Sequence, residues 1–238
     1  MFSDAAQKQE AFLNKLAGKL NYQRHSLAEE PFQPENKINL QKLQGLSQDE
    51  LLEVAKEQSD AIYTDFKVIR KEDLATTIQN ILEEKGQGNY IIPDDSRFAE
   101  YQLTDLVNHP NTYTWKKGAE FREENLNAAN QANVGIAFAE YLLAESATVV
   151  FETNAGHGRT LQFLPQHFIA IVPKSQIVPR ITQATADYNE KVLRGEKIGS
   201  NLSFISGPSN SGDIEMILVV GVHGPLSMTY LVLEVSVG

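Results

Sequence analysis

The sequence predicts an α/β protein with a mainly parallel or mixed sheet and helices on both faces. Apolar strand-like segments alternate with amphipathic helical segments from about residue 70 onward. Charge is also uneven, because residues 1–130 carry 15 Lys/Arg and 22 Asp/Glu, whereas residues 131–238 carry 6 and 9. Near-continuous apolar runs, such as residues 168–172, are typical of parallel strands buried on both faces. We therefore expect the sheet core in the C-terminal part.

The first 65 residues are predicted to form a helical extension and connector, followed by an α/β domain at residues 66–238. Four apolar residues share one helical face: Phe12, Leu13, Leu16 and Leu20. Residues 47–50 match a capping box ahead of a second helix, and we expect both helices to be peripheral. Residues 21–45 are polar and contain Pro31 and Pro34, which favours an irregular, flexible connector between the helices.

The α/β domain is predicted element by element from periodicity and breakers. Predicted helices cover residues 74–82, 96–107, 119–131, a segment ending near Ala144, and 175–193. Predicted strands cover residues 90–92, 112–115, 134–136, 148–151, 168–172, 202–205, 217–222 and 230–235. Neither a Rossmann glycine fingerprint nor a P-loop is present, so no motif supports dinucleotide or NTP binding.

Composition excludes several classes of function. The formal net charge of -10 disfavours nucleic acid, since that partner requires Lys and Arg to neutralise its phosphates. The chain has no cysteine, which excludes disulfides, thiolate catalysis and iron-sulfur clusters bound through its own thiolates. Redox chemistry would thus need a partner subunit. No apolar run approaches the roughly 20 residues of a membrane span, and the N-terminus has no signal-like apolar core. We expect a cytoplasmic protein.

Residues 207–225 contain the strongest candidate site, two Gly-Pro corners around one apolar run. Such corners offer backbone N–H groups that can hold a small anion together with the hydroxyls of Ser209 and Ser211. Asp213 and Glu215 are paired carboxylates that would point to one face of an extended segment and divide acid and base duties. Capping of a helical turn by Ser209, Ser211 or Asp213 is the alternative. Glu215 could instead pair with Arg159 or Arg180.

Other candidates lie in neighbouring loops. His223 is a general acid/base candidate because its ordinary pKa lies near neutrality. Glu145 is a further catalytic candidate, because it would close a helix and reach the strand ends where open α/β sheets bind ligands, unless it forms a surface ion pair. His157 and Arg159 share a mobile-looking loop and would grip a carboxylate, unless that loop is only solvated. His167 is expected to be a core or edge histidine, and no metal site is predicted.

Several motifs resemble those of the LUD domain family over roughly residues 70–238. They are residues 135–136, 144–148, 164–167, 207–209, 213–215 and 221–225. The resemblance implies a fold like that of the NagB/RpiA/CoA-transferase group and a role in oxidising L-lactate to pyruvate. It also implies partner subunits that are rich in cysteine and carry iron-sulfur clusters. This chain would then be an accessory or ligand-binding component without a cofactor of its own, holding a small carboxylate or an assembly contact.

Two positions depart from the family pattern. Asn210 stands where the family commonly has Arg, so this ligand-binding candidate offers only neutral hydrogen bonds, which are about half as strong as charge-assisted ones. Ala147 stands where the family commonly has Gly, which would reshape the turn before the next strand. Fold analogy alone leaves an alternative function open: a stand-alone isomerase, cyclo-ligase or CoA-transferase-like enzyme acting on a phosphorylated or CoA-linked molecule.

Overall fold

The computed structural model describes residues 2–24, 35–214 and 217–234, and the chain divides into two compact units at residues 1–38 and 39–238. The first unit contains helix α1 (Phe2–Lys19). Arg24 forms an ion pair with Glu10 of this helix at 2.7 Å. A short helix, α2 (Ile38–Gln41), spans the division between the units. Residues 25–34 of the predicted connector lie outside the described residues.

Helix α3 (Gln48–Ala61) begins at the predicted capping box. The Ser47 hydroxyl accepts a hydrogen bond from the Glu50 N–H at 3.3 Å, and the Glu50 carboxylate accepts one from the Ser47 N–H at 2.8 Å. The expected peripheral position of this helix is wrong, because Leu51, Leu52 and Ala55 are buried in the main apolar core. Its apolar face packs against side chains of the strands in the same core.

The remaining elements alternate along the second unit. The strands are β1 (Asp65–Arg70), β2 (Asn89–Ile92), β3 (Thr112–Thr114), β4 (Ala132–Phe138), β5 (Tyr141–Leu143), β6 (Thr148–Thr153), β7 (His167–Pro173), β8 (Ile177–Val178), β9 (Asn201–Ser206), β10 (Asn210–Ile214), β11 (Ile217–Val220) and β12 (Ser227–Glu234). The helices after α3 are α4 (Leu74–Glu84), α5 (Arg97–Glu100), α6 (Thr104–Val107), α7 (Arg122–Gln131) and α8 (Ile181–Leu193). Two of the 3-10 turns, Ala144–Ser146 and Arg159–Gln162, carry predicted site residues.

A six-stranded, all-parallel sheet forms the centre of this unit, in the order β1-β12-β7-β4-β2-β3. Its central strands are the predicted apolar runs, buried on both faces. Helices α4 and α5 pack on one face through Leu74, Ile78 and Phe98, while α3 and α7 pack on the other. The predicted fold class is confirmed.

A second sheet, which the sequence did not predict, adds another layer beside α3 and α7. It contains β8, β5, β6 and β9 in that order, with antiparallel β5/β6 and β6/β9 pairs. The predicted helix ending near Ala144 is wrong, because Tyr141–Leu143 form β5 and all three side chains are buried. So short an apolar run fits a helix or a strand equally well, and tertiary pairing decides between them. Helix α8 covers the outer face through Ala184 and Tyr188.

Strands β10 and β11 form a separate antiparallel hairpin between β9 and β12. Asn210 pairs with Val220, and Ser211 pairs with Val219. The hairpin thus leaves the second sheet through one Gly-Pro corner and enters the parallel sheet through the other.

Candidate functional site

The two Gly-Pro corners lie against each other, and Ser209 joins them. The Ser209 N–H donates to the Pro225 carbonyl at 3.0 Å, and the Gly221 N–H donates to the Ser209 carbonyl at 2.9 Å. The Ser209 hydroxyl accepts a third hydrogen bond from the N–H of His223 at 3.1 Å. We call Gly207–Ser209 together with Gly221–Pro225 the corner site. The Ser209 hydroxyl therefore binds a backbone N–H group and fixes the backbone of His223. The His223 side chain is exposed.

The first corner is anchored to the buried core through Tyr230 on β12. The Gly207 N–H donates to the Tyr230 hydroxyl at 3.1 Å, and that hydroxyl donates to the Ala147 carbonyl at 2.9 Å. Burial raises the pKa of Tyr230, so the phenol stays protonated as this donor. Gly207 has a φ of +67°, and a β-carbon there would lie 2.6 Å from the Ile62 carbonyl oxygen. Only glycine fits this position.

Ala147 keeps the left-handed conformation that glycine usually supplies, with φ 46° and ψ 39°. Its carbonyl accepts the hydrogen bond from Tyr230 and its side chain is fully buried, so the surrounding core holds the strained turn. Tyr230 is a site residue that sequence reasoning missed. Its hydroxyl gave no distinctive signal, because β12 also contains the hydroxyls of Ser227 and Thr229.

The corner site lies at the amino ends of the parallel strands. His167, the first residue of β7, pairs in register with Ser227, the first residue of β12, and its Nδ1 lies 2.8 Å from the Ser227 hydroxyl. Burial, with a smaller effect of Lys85, lowers the pKa of His167. The Leu226 N–H donates to the Gln166 carbonyl at 2.7 Å. Small-molecule sites in open α/β sheets usually occupy the carboxyl ends instead.

The remaining residues of the predicted anion grip lie on the hairpin. Asn210 and Ser211 belong to β10, and Asn210 is exposed. The backbone of Asp213 is extended within the same strand, so none of Ser209, Ser211 and Asp213 caps a helical turn there. Glu215 lies outside the described residues, and its pairing with Asp213 stays a prediction.

Glu145 is held by cations and not by the corner site. Its carboxylate lies 2.7 Å from the Lys42 ammonium and forms a close ion pair with Arg180. The hydrogen bond from Lys42, outweighing desolvation and joined by Arg180, lowers the pKa of Glu145. The residue sits in the 3-10 turn after β5 and does not close a helix. The ion pair that the sequence left open as an alternative is thus present.

His157 is buried, and the prediction that it lies in a mobile, carboxylate-gripping loop is wrong. Its Nε2 lies 3.1 Å from the Gln162 side-chain oxygen, and burial lowers the pKa of His157 to about 4, so the ring is neutral at physiological pH. Gln162 in turn donates to the Ser203 hydroxyl at 3.2 Å. Arg159 stays exposed on the following 3-10 turn, so the two side chains do not act as a pair. A histidine flanked by glycines in sequence does not reveal such burial.

A charge cluster at the carboxyl edge of the parallel sheet was also missed. The Arg97 guanidinium lies 2.7 Å from Asp95, which follows β2, and 2.7 Å from Glu140, which follows β4. It also stacks 5.3 Å from the centre of the Phe138 ring. Burial opposes the charge, but the hydrogen bonds that Arg97 donates to Asp95 and Glu140, together with the negative charges of both carboxylates, outweigh it and raise the pKa of Arg97. The usable signal was an acidic residue two or three positions after each of two apolar strands.

Within residues 2–24, 35–214 and 217–234, no three His, Asp or Glu side chains are grouped to hold a metal ion. None of the helices in this part of the chain combines the length and hydrophobicity needed to cross a membrane.

The structure is an α/β fold in which a β-hairpin, set between two Gly-Pro corners, precedes the interior strand β12 of the parallel sheet. The chain belongs to the LUD domain family, whose family model matches residues 52–233. The resemblance predicted from its motifs is therefore confirmed.

Relatives match over most of their length. A lactate utilization protein C of Geobacillus kaustophilus is 41% identical over 98% of this chain and 98% of its own. A protein of the same name from Geobacillus thermodenitrificans is 46% identical over 79% of this chain and 80% of its own. Another, from Macrococcus caseolyticus, is 42% identical over 94% of this chain and 95% of its own. The crystal structure of a DUF162 family protein from Deinococcus radiodurans has a TM-score of 0.56 at 18% identity, covering 79% of this chain and 99% of that one. That similarity supports the fold.

Proposed function

We propose that this protein acts in lactate utilization, as a component of a system that oxidises L-lactate to pyruvate. The observation that carries the proposal is similarity along nearly the whole chain to proteins named for that process, at 41% identity over 98% of both chains for one of them. The corner site and both sheets lie inside the matched region.

Oxidation of the lactate hydroxyl to a ketone removes two electrons and two protons, so an electron acceptor is required. The 238 residues contain no cysteine, and this chain therefore has no thiolates for an iron-sulfur cluster. We assign the clusters to cysteine-rich partner subunits and give this chain a non-redox role in the assembly. No cofactor of its own is needed for that role.

The corner site serves as the contact with the cluster-bearing partner. Five apolar side chains on the segments that meet at this site are between 37% and 48% exposed: Phe163, Leu164, Val220, Val222 and Leu226. Exposed apolar side chains grouped in this way mark protein contacts more often than small-ligand pockets. The prolines fix φ at both corners, which reduces the entropy lost on association. The exposed imidazole of His223 and the neutral amide of Asn210 add polar contacts, and His223 is also placed to hold a small carboxylate.

Genetics and purification test this proposal together. A strain without the gene should fail to grow on L-lactate while growing normally on glucose, and the wild-type gene should restore growth. Affinity purification of the tagged protein under mild lysis should recover cysteine-rich, iron-containing partners. Val222→Asp should reduce that recovery strongly, whereas Val192→Asp, on the equally exposed surface of α8, should not. Unimpaired growth on lactate, or a protein recovered alone, would show that the proposal is wrong.

A further inference from the structure

The outer face of the parallel sheet carries a cavity of about 440 Å³ that the lactate proposal does not use. It opens between α4 and α6, beside the start of β2. Its floor is apolar and buried, formed by Ile78, Leu82, Tyr90 and Leu103. The volume falls in the range of about 300–1,000 Å³ that is typical of small-molecule sites. These floor residues belong to the core on the helical face of the sheet, opposite the face that packs on the second sheet.

The charged side chains that line the cavity favour a ligand of positive charge. Its wall includes the carboxylates of Glu83 and Asp105 but no Lys or Arg. Glu83 accepts a hydrogen bond from Gln79 at 3.3 Å, and neither carboxylate has an ion-pair partner in the part of the chain that the structure describes. Both carboxylates are exposed at the rim, where their charges attract a cation and repel a carboxylate such as lactate, with screening by salt.

One end of the cavity is aromatic. The rings of His109 and Tyr90 lie 5.6 Å apart with an angle of 44° between their planes. His109 Nδ1 accepts a hydrogen bond from the Asn111 N–H at 3.2 Å, so the neutral ring carries its proton on Nε2 and remains a donor. Aromatic faces attract organic cations as well as apolar groups.

Gln102, at the edge of the cavity, has a left-handed backbone conformation. Its φ is +59°, in the left-handed region, and it ends α5 with hydrogen bonds from the Gln102 N–H to Ala99 at 3.0 Å and from the Leu103 N–H to Phe98 at 2.8 Å. Glycine is the usual residue in this arrangement because it adopts the conformation without strain. The side chain of this residue lines the cavity.

We propose that this cavity binds a small organic amine with an apolar or aromatic body. The ammonium group pairs with Glu83 and Asp105, the apolar body covers Ile78 and Leu82, and Gln102 orients the ligand by hydrogen bonding. The site is independent of lactate utilization, so either proposal can fail without the other.

Calorimetric titration of the full chain with phenethylamine, against 3-phenylpropionate as the matched anion, tests the site. We expect saturable binding of the amine in the millimolar range or tighter, and at least about tenfold weaker binding of the acid. Glu83→Gln and Asp105→Asn should each weaken amine binding by about tenfold, as expected for loss of a charge-assisted hydrogen bond. Glu123→Gln, which removes an exposed carboxylate on α7, should leave binding unchanged. Equal binding of both ligands, or of neither, overturns the proposal.

Gln102→Gly separates a ligand-binding role from a structural one. Relief of the left-handed strain should raise the thermal midpoint by about 2 °C for a chain of this size. Loss of the side chain should at the same time weaken amine binding several-fold. A variant that is more stable and binds the amine as well as the wild type would overturn the role of Gln102 in the site.

Discussion

The hydroxyl of Ser209 accepts a hydrogen bond from the backbone N–H of His223 at 3.1 Å, and this contact joins two corners that are 14 residues apart in the chain. Two backbone hydrogen bonds of Ser209, with Pro225 and Gly221, fix the same junction. The position of the exposed His223 ring therefore depends on Ser209.

Ser209→Ala should lower the free energy of unfolding by about 1 kcal/mol, because the His223 N–H loses its acceptor. For a chain of this length, that corresponds to a fall of about 2–4 °C in the thermal midpoint. Urea unfolding followed by circular dichroism measures the change. Ser211→Ala, on β10, is the matched control and should stay within about 0.5 kcal/mol of the wild type. Equal losses from the two substitutions would contradict a special role for Ser209.

Gly207→Ala should be more destabilising than Gly195→Ala, although both glycines have positive φ. Gly195 has a φ of +79° with open space around it, so alanine there adds only backbone strain of about 1 kcal/mol. At Gly207, a β-carbon would also meet the Ile62 carbonyl oxygen at 2.6 Å, which should add about 1–3 kcal/mol. Chemical denaturation of both variants gives the difference. If the two alanines cost the same, Gly207 is needed only for its conformation.

His157 should make the protein less stable as the pH falls from 6.5 towards 4. Burial lowers the pKa of this histidine from 6.5 to about 4, so in this window the unfolded chain binds a proton that the folded chain does not. The contribution is about 3 kcal/mol at most and is fully lost below the folded pKa. His157→Gln should flatten the curve of unfolding free energy against pH. The pKa of His167 is lowered too, so the residual slope in the variant is expected. An unchanged slope would show that His157 is not buried in its neutral form.

Glu145 should be coupled to Lys42 by no more than about 1 kcal/mol in a double-mutant cycle with Glu145→Gln and Lys42→Met. The Lys42 side chain is 52% exposed, so solvent screens the pair. Glu145→Gln alone should cost more than Lys42→Met, since it also removes the ion pair with Arg180. Growth on L-lactate should persist in the Gln variant if Glu145 is structural. Loss of growth in a folded variant would instead support the predicted catalytic role.

The parallel sheet was predictable because its central strands β4, β7 and β12 are buried on both faces and must be apolar along their length. The edge strand β1 was not, since its exposed and half-buried side chains, including Asp65, Lys67 and Arg70, give no apolar run. Strand β8 has only two residues, and its pairing with β5 belongs to the tertiary structure.

Some features of the candidate site could be predicted from the sequence and others could not. The glycines and prolines of residues 207–225 predicted corners, because few residues tolerate such turns. Nothing in the local pattern indicated that Tyr230 would join Gly207 to Ala147, residues separated by 60 positions in sequence. The burial of His157 was likewise invisible, since the loop around it has the composition of a solvated loop.

The sequence by itself determined the α/β alternation, the absence of thiolate ligands and the motifs of the LUD domain family, all of which depend on residue type and local spacing. The tertiary structure alone decided that the corners meet at the amino ends of the strands, that Glu145 pairs with Lys42 and Arg180, and that His157 is neutral. These features arise when distant segments pack and exclude water, because hydrogen-bond partners and desolvation depend on which side chains meet in space and not on their order along the chain.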